Sequence, residues 1–161
     1  MNNNKENTLA FIQQYLVKPV EELLATQQYY PLLIYCSLGI ETIGAFLDNK
    51  PLRARKQSKL RFGNALYQLF PKKYSFSNKG GFLYEALRNH SAHNLIPSSY
   101  LIIYNEEEKN KKHLSLFKEK TFFCIDTFAQ DFLTACQKIS KDIEDNKLDT
   151  KLIQINSFTD N

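Results

Sequence analysis

The sequence predicts a mainly α-helical fold, a bundle of about five helices with a small antiparallel β-hairpin or meander before the last one. Three observations predict it. Apolar residues recur every three or four positions through most of the chain, the spacing of a helix with one buried face. The segment 31–48 is apolar nearly throughout, which suits a central helix. Short β-branched and aromatic runs gather between about 99 and 125, and a capped amphipathic segment follows them.

Met1-Asn2-Asn3-Asn4-Lys5-Glu6-Asn7 (1–7) reads as a disordered leader, 8–145 as the helical domain, and 146–161 as a polar tail. Leu9, Phe11, Ile12, Leu16, Val20, Leu23 and Leu24 mark a first helix to about Gln28, which Pro19 should kink or split. Pro31 suits the first turn of a second helix reaching about Asp48, and its Gly39 and Gly44 would let neighbours approach closely. A third helix runs from about Gln57 to Phe70, where Pro71 stops it. Residues 72–81 read as a loop mixing lysines with Tyr74 and Phe76.

A fourth helix follows, capped by Ser77 or Asn78, with Leu83, Ala86, Leu87 and His90 as its inward stripe and Pro97 beyond its end. Ser99–Tyr104, His113–Phe117 and Thr121–Ile125 are strand candidates around a charged turn, which places His113 on an exposed hairpin. Asp126 or Thr127 caps the last helix, which buries Phe128, Phe132, Leu133, Cys136 and Ile139 and ends near Asp145. In the tail, the apolar knot Leu152, Ile153 and Ile155 offers a place to dock.

At 161 residues the chain makes one domain with a core of its own. Cys36, Cys124 and Cys136 are far apart and lack CxxC spacing, so they read as small buried hydrophobes of a reducing compartment rather than zinc or iron–sulfur ligands. The first residues contain no apolar h-region. The longest uncharged run, 23–40, holds Gln27, Gln28 and Pro31, a poor membrane span. The expectation is a cytoplasmic protein without membrane contact. With no carboxylate cluster, His-rich spacing or Gly-rich phosphate loop, no metal and no cofactor is expected.

The net charge is +4, and its distribution says more than its sum: between 49 and 84 there is no acid. That window contains Arg53, Arg55, Lys56, Lys72, Lys73 and Lys79, candidate RNA-binding residues, while acids gather elsewhere, as in Glu106-Glu107-Glu108 and 142–149. A one-signed segment suits a polyanion; equally, it is what a solvated loop looks like. Tyr74 and Phe76 among the lysines either stack on unpaired bases or tuck the loop onto the core.

The basic segment leads into Arg88-Asn89-His90-Ser91-Ala92-His93. This string resembles the motif of the HEPN superfamily: an arginine, a polar residue, three residues of any kind and a histidine. A Leu-Tyr-Glu-Ala-Leu helix enters it and Asn94-Leu95-Ile96-Pro97 closes it, and the resemblance extends over about 8–144. Members are small all-helical domains, many of them metal-independent ribonucleases of bacterial toxin–antitoxin, phage-defence and CRISPR-associated systems. The resemblance implies that His93 is the acid/base, Arg88 the transition-state stabiliser and Asn89 an orienting residue. It also implies a homodimer with a composite site, and an antitoxin or defence-system partner protein.

The chemistry of the residue types agrees. RNA carries its own nucleophile in the 2′-hydroxyl, histidine exchanges protons near neutral pH, and a guanidinium stabilises phosphorane charge. Glu41, the interior charge of the second helix, either orients Arg88 or His93 or points to solvent. Five residues apart on an α-helix, Arg88 and His93 lie about 140° from each other, so they share a ligand only if the helix is distorted or a second copy supplies one of them. Three other readings stay open. Arg88 and His93 can simply cap a helix C-terminus; the domain can bind RNA, a nucleotide or a protein without cutting; or it can be a dimeric scaffold.

Overall fold

The computed structural model describes residues 2–105 and 111–153, so Glu106-Glu107-Glu108 and Ile155 lie outside the described residues. It is mainly α-helical, with a three-stranded sheet before the last helix. The elements are α1 (Asn2–Ile12), a π-helical stretch (Gln13–Val17), α2 (Lys18–Ala25), α3 (Tyr29–Ala45), α4 (Ser58–Gln68), α5 (Lys72–Ser77), a 3₁₀ turn (Lys79–Gly81), a second π-helical stretch (Tyr84–Asn89), α6 (His90–Asn94), β1 (Leu101–Tyr104), β2 (Leu116–Phe117), β3 (Lys120–Cys124) and α7 (Ile125–Glu144). Among the described residues no helix is long and apolar enough to cross a membrane.

The leader reading needs correction: the first helix begins at Asn2. Lys5 Nζ donates to the Glu144 carbonyl at 2.6 Å and to Asn146, and Thr8 is fully buried, so contacts with the chain's far end hold this polar segment in place. Pro19 acts as expected, by an identifiable route. Proline lacks the N–H that would bond the Tyr15 carbonyl four residues back. The Tyr35 hydroxyl donates to that carbonyl at 2.5 Å, and the chain before Pro19 widens into a π turn closed by Lys18 N–H on the Gln13 carbonyl.

Helix α3 is the central element, packed against α2, α4, α7 and the Tyr84–Asn94 segment. Two glycines set how closely its neighbours come. A Cβ at Gly39 would stand 2.6 Å from the Phe132 ring, and one at Gly44 only 2.2 Å from the Arg61 carbonyl. Arg61, one of the cations in the acid-free window, is therefore a core residue, 2% exposed. Its Nε and Nη2 grip Asp48 at 2.8 and 3.1 Å, and Nη1 and Nη2 donate to the Leu52 and Pro51 carbonyls. The buried Lys151 ammonium donates to the Asp48 and Lys50 carbonyls, so the start of the tail is pinned on the same loop. Burial alone would raise the Asp48 pKa, but the bonds from Arg61 and the Lys50 amide and the charges of Arg61 and Lys151 leave it below the ordinary value.

Residues 72–77, read as loop, form α5. Pro71 occupies the cap position before its first turn, and Tyr74 is wholly buried while Phe76 stays 66% exposed. The sheet is mixed rather than antiparallel. β1 pairs in parallel with β3, from Leu101 opposite Thr121 to Tyr104 opposite Cys124, and the antiparallel hairpin joins only β2 to β3. Local strand signals reveal propensity but not partner order, and the order here is β1-β3-β2. α7 begins at Ile125, one residue before the expected cap, and no side chain caps it.

His113 is buried, not exposed. Its Nδ1 accepts the Cys124 N–H at 2.9 Å, which leaves the proton on Nε2 to be given to the Tyr74 hydroxyl at 2.9 Å; Tyr74 in turn donates to Asp131 at 2.8 Å. This chain of three ties the hairpin to α5 and α7. Burial, and secondarily the charge of Lys73, lowers the His113 pKa to about 3, while burial and then Asp131 push that of Tyr74 up. The three cysteines are buried and unpaired, and burial raises the Cys136 thiol to about 12.

Two expectations follow. The unfolded chain takes up the His113 proton near pH 6.5 and the folded chain only near 3, so the unfolded state binds more protons between them. Stability should rise with pH across that window by a few kcal/mol and level off above it, and His113→Gln should flatten the rise in denaturant titrations. Arg61→Ala should cost about 3–5 kcal/mol by leaving Asp48 and two buried carbonyls unpaired. An RNA-facing arginine would leave the unfolding midpoint unmoved.

Candidate nucleic-acid interface

The motif lies on one continuous helical segment that starts after Gly80 and Gly81. Their φ angles of 66° and 87° separate it from α5. Asn78 closes the start as a cap, its side-chain oxygen accepting the Tyr84 N–H at 3.2 Å. Leu83, Ala86 and Leu87 are buried against the core, as their spacing predicts. From Tyr84 to Asn89 the backbone then widens into the second π turn, with His90 N–H bonding the Glu85 carbonyl. In α geometry that N–H would go to the Ala86 carbonyl; the Ser98 N–H takes it instead, at 3.1 Å, and draws the chain after the helix back alongside it.

This extra residue in the turn corrects the expected stripe. His90 is exposed, and Ser91 occupies the inward position with no exposure. The Ser91 hydroxyl has no hydrogen-bond partner among the described residues. Leu95, in the left-handed conformation at φ 56°, ends the helix, and His93 stands exposed in its last turn.

Arg88 faces α3 and the start of α4. Its Nε reaches Glu41 Oε2 at 2.9 Å and its Nη2 the same oxygen at 2.8 Å. The other carboxylate oxygen of Glu41 accepts the Ser58 hydroxyl at 2.7 Å, and that hydroxyl also lies 3.5 Å from Arg88 Nη2. The guanidinium sits over the Tyr84 ring, 5.7 Å from its centroid. Glu41 thus stands against Arg88 rather than His93 or open water. The Arg88 and Glu41 side chains remain 21% and 25% exposed, so the pair is reachable from outside.

A second polar link runs along the same face. Asn89 donates to Glu85 Oε2 at 2.8 Å, and Lys59 lies 3.8 Å from Glu85 Oε1. Lys59, Ser58, Tyr84 and Glu85 are members of this face that motif reading does not single out. Only the Ser58-Lys59 position, at the head of the helix that the basic loop feeds, hints at it in the sequence.

The expected RNA-binding cations divide. Arg53, Arg55 and Lys56 are exposed in the loop that precedes Ser58, and Arg53 lines a cleft with Phe11, Leu152 and Ile153. Lys79 is exposed beside His90, where both line a cleft. Lys73 is diverted: it pairs with Asp131 at 3.6 Å and lies 5.5 Å from the Tyr74 ring centroid. Lys72 is exposed on α5. Among the described residues no three His, Cys, Asp or Glu side chains gather into a set able to hold a metal ion.

What the arrangement can do chemically is present a guanidinium, fixed in direction by a carboxylate and a hydroxyl, at a half-open surface on a helix that also carries exposed imidazoles. Comparison with known proteins adds no name to this geometry: no protein-family model matches the chain, and no significant match is found among curated proteins or solved structures.

Proposed function

We propose that the protein is a metal-independent endoribonuclease of HEPN type. The single observation that carries this reading is the Glu41–Arg88–Ser58 cluster at the surface where the basic loop ends. An arginine used only to cap its own helix would direct its guanidinium to the last carbonyls of that helix. Arg88 instead crosses to α3, and a neighbouring carboxylate sets its direction. Such pre-orientation is what electrostatic stabilisation of a phosphorane requires, because donors already aligned need little reorganisation during reaction.

In the proposed step the 2′-hydroxyl of RNA attacks the adjacent phosphodiester. Its proton passes to a base, charge builds on the phosphoryl oxygens facing Arg88, and the departing 5′-oxygen receives a proton. His93, exposed in the last turn of the motif helix, serves as the acid/base. Asn89, held by Glu85, orients the substrate beside it. The products are a 2′,3′-cyclic phosphate and a 5′-hydroxyl. Because Arg88 turns inward toward Glu41 while His93 stands free at the helix end, two copies of the chain with their motif helices adjoining are the proposed functional unit. An antitoxin or defence-system partner that restrains the nuclease belongs to the same proposal.

A second reading has its own observation in favour. The Glu41 carboxylate offsets the charge of Arg88, which suits a surface that binds RNA loosely without cutting it. One experiment separates the two. Purified protein incubated with tRNA in EDTA should cut it, and Arg88→Ala and His93→Ala should each lower the rate by about 10²-fold or more. Glu41→Gln should lower it by roughly 10-fold, since the guanidinium keeps a hydrogen-bonding neighbour but loses its charged partner. Salt-sensitive binding with no cleavage in any form would establish the binding module in place of the enzyme.

A further inference from the structure

A cleft of about 320 Å³ opens on the flank of the motif helix, lined by Lys79, Phe82, Glu85, His90, Ser98 and Tyr100 among others. We propose that it is a subsite for one unpaired nucleobase flanking the phosphate at Arg88; the proposal rests on the RNA-cleaving reading above. The π turn builds it. By giving the Ala86 carbonyl to the Ser98 N–H, the turn brings residues 98–100 alongside the helix and places Tyr100 across from Phe82 and His90.

Tyr100 is 57% exposed, yet its backbone is held on both sides: its N–H donates to Ser98 Oγ at 3.3 Å and its carbonyl accepts the Thr121 N–H at 2.8 Å. An exposed ring on a fixed backbone is a stacking platform, since a base laid on it costs the chain little ordering. Across the cleft the Phe82 ring is half-buried.

Polar groups suited to a base edge and its backbone ring the cleft: Ser98, His90 and the Lys79 ammonium. Glu85 belongs to both places. It lines the cleft, and it is bonded by Asn89, the residue following Arg88, and paired with Lys59, which lies next to Ser58 in the chain, so it links the cleft to the Arg88 cluster. Stacking surfaces beside cations are the means by which proteins hold single-stranded RNA, and a duplexed base could not enter.

The test uses the full chain and a fluorescent 2′-O-methyl RNA hexanucleotide, which lacks the nucleophile and so stays intact. Tyr100→Ala should weaken its binding by roughly 5- to 100-fold and Tyr100→Phe should restore it, as stacking on a ring demands. Hexanucleotides with a single abasic position, moved stepwise along the chain, should include one that binds the native protein and Tyr100→Ala alike. If Tyr100→Ala binds as the native protein does while Arg88→Ala binds more weakly, the base subsite is wrong and the phosphate site stands. If Tyr100→Phe fails to restore binding, stacking is wrong. If the native protein binds no hexanucleotide, the subsite and the RNA-cleaving reading fall together.

Discussion

One carboxylate organises the proposed site. Glu41 sits on the central helix α3, half-buried, and meets the start of α4 through Ser58 and the motif helix through Arg88. A charge in that position needs partners to offset its loss of water. The fold supplies a hydroxyl to one oxygen and a guanidinium to the other. The same bonds that satisfy Glu41 therefore determine where Arg88 points, and they do so at the start of α4, just after the basic loop. A stability requirement of the core and the geometry of the proposed chemistry share one set of atoms.

Two π turns give the bundle its local shape, and beside each a helix carbonyl is bonded by a donor from elsewhere in the chain. Near Pro19, which cannot bond the Tyr15 carbonyl, the donor is the Tyr35 hydroxyl, which keeps the first helix against α3. In the motif helix the donor to the Ala86 carbonyl is the Ser98 amide, which keeps the β1 approach against the helix flank. In this way a one-residue widening of a helix leads both to an outward-facing His90 and to a lined cleft. The buried polar chain His113–Tyr74–Asp131 performs a comparable task for the sheet, fixing the hairpin to α5 and α7 through three hydrogen bonds.

Much of the fold was legible in the sequence because it depends on local periodicity. The apolar spacing located α3, α4, the motif helix and α7, and the run of apolar residues in 31–48 identified the central one. What periodicity does not carry was missed. The first helix is tied down through Lys5, whose partners are 139 and 141 residues away. The parallel pairing of β1 with β3 depends on the order of strands in space. The site was legible in the same uneven way. Arg88, Asn89 and His93 stand out as a motif, and Glu41 as the lone charge of an apolar helix. Ser58, Lys59 and Glu85 are ordinary polar residues of exposed helices, visible only once three elements meet. Lys73 reads as a member of the cationic surface and Arg61 shares its acid-free window, yet each is drawn to an aspartate, Asp131 and Asp48, which composition alone could not assign.

The central claim is that Glu41 aims Arg88 at a phosphate, which makes the two residues act on RNA as one unit. The most direct measurement is a double-mutant cycle in RNA affinity with Glu41→Gln, Arg88→Lys and the two combined. The account predicts a coupling of about 1–3 kcal/mol, because once either partner is replaced the other has little left to lose. Additive losses would contradict it, since Glu41 would then be a structural charge that takes no part in how Arg88 meets RNA.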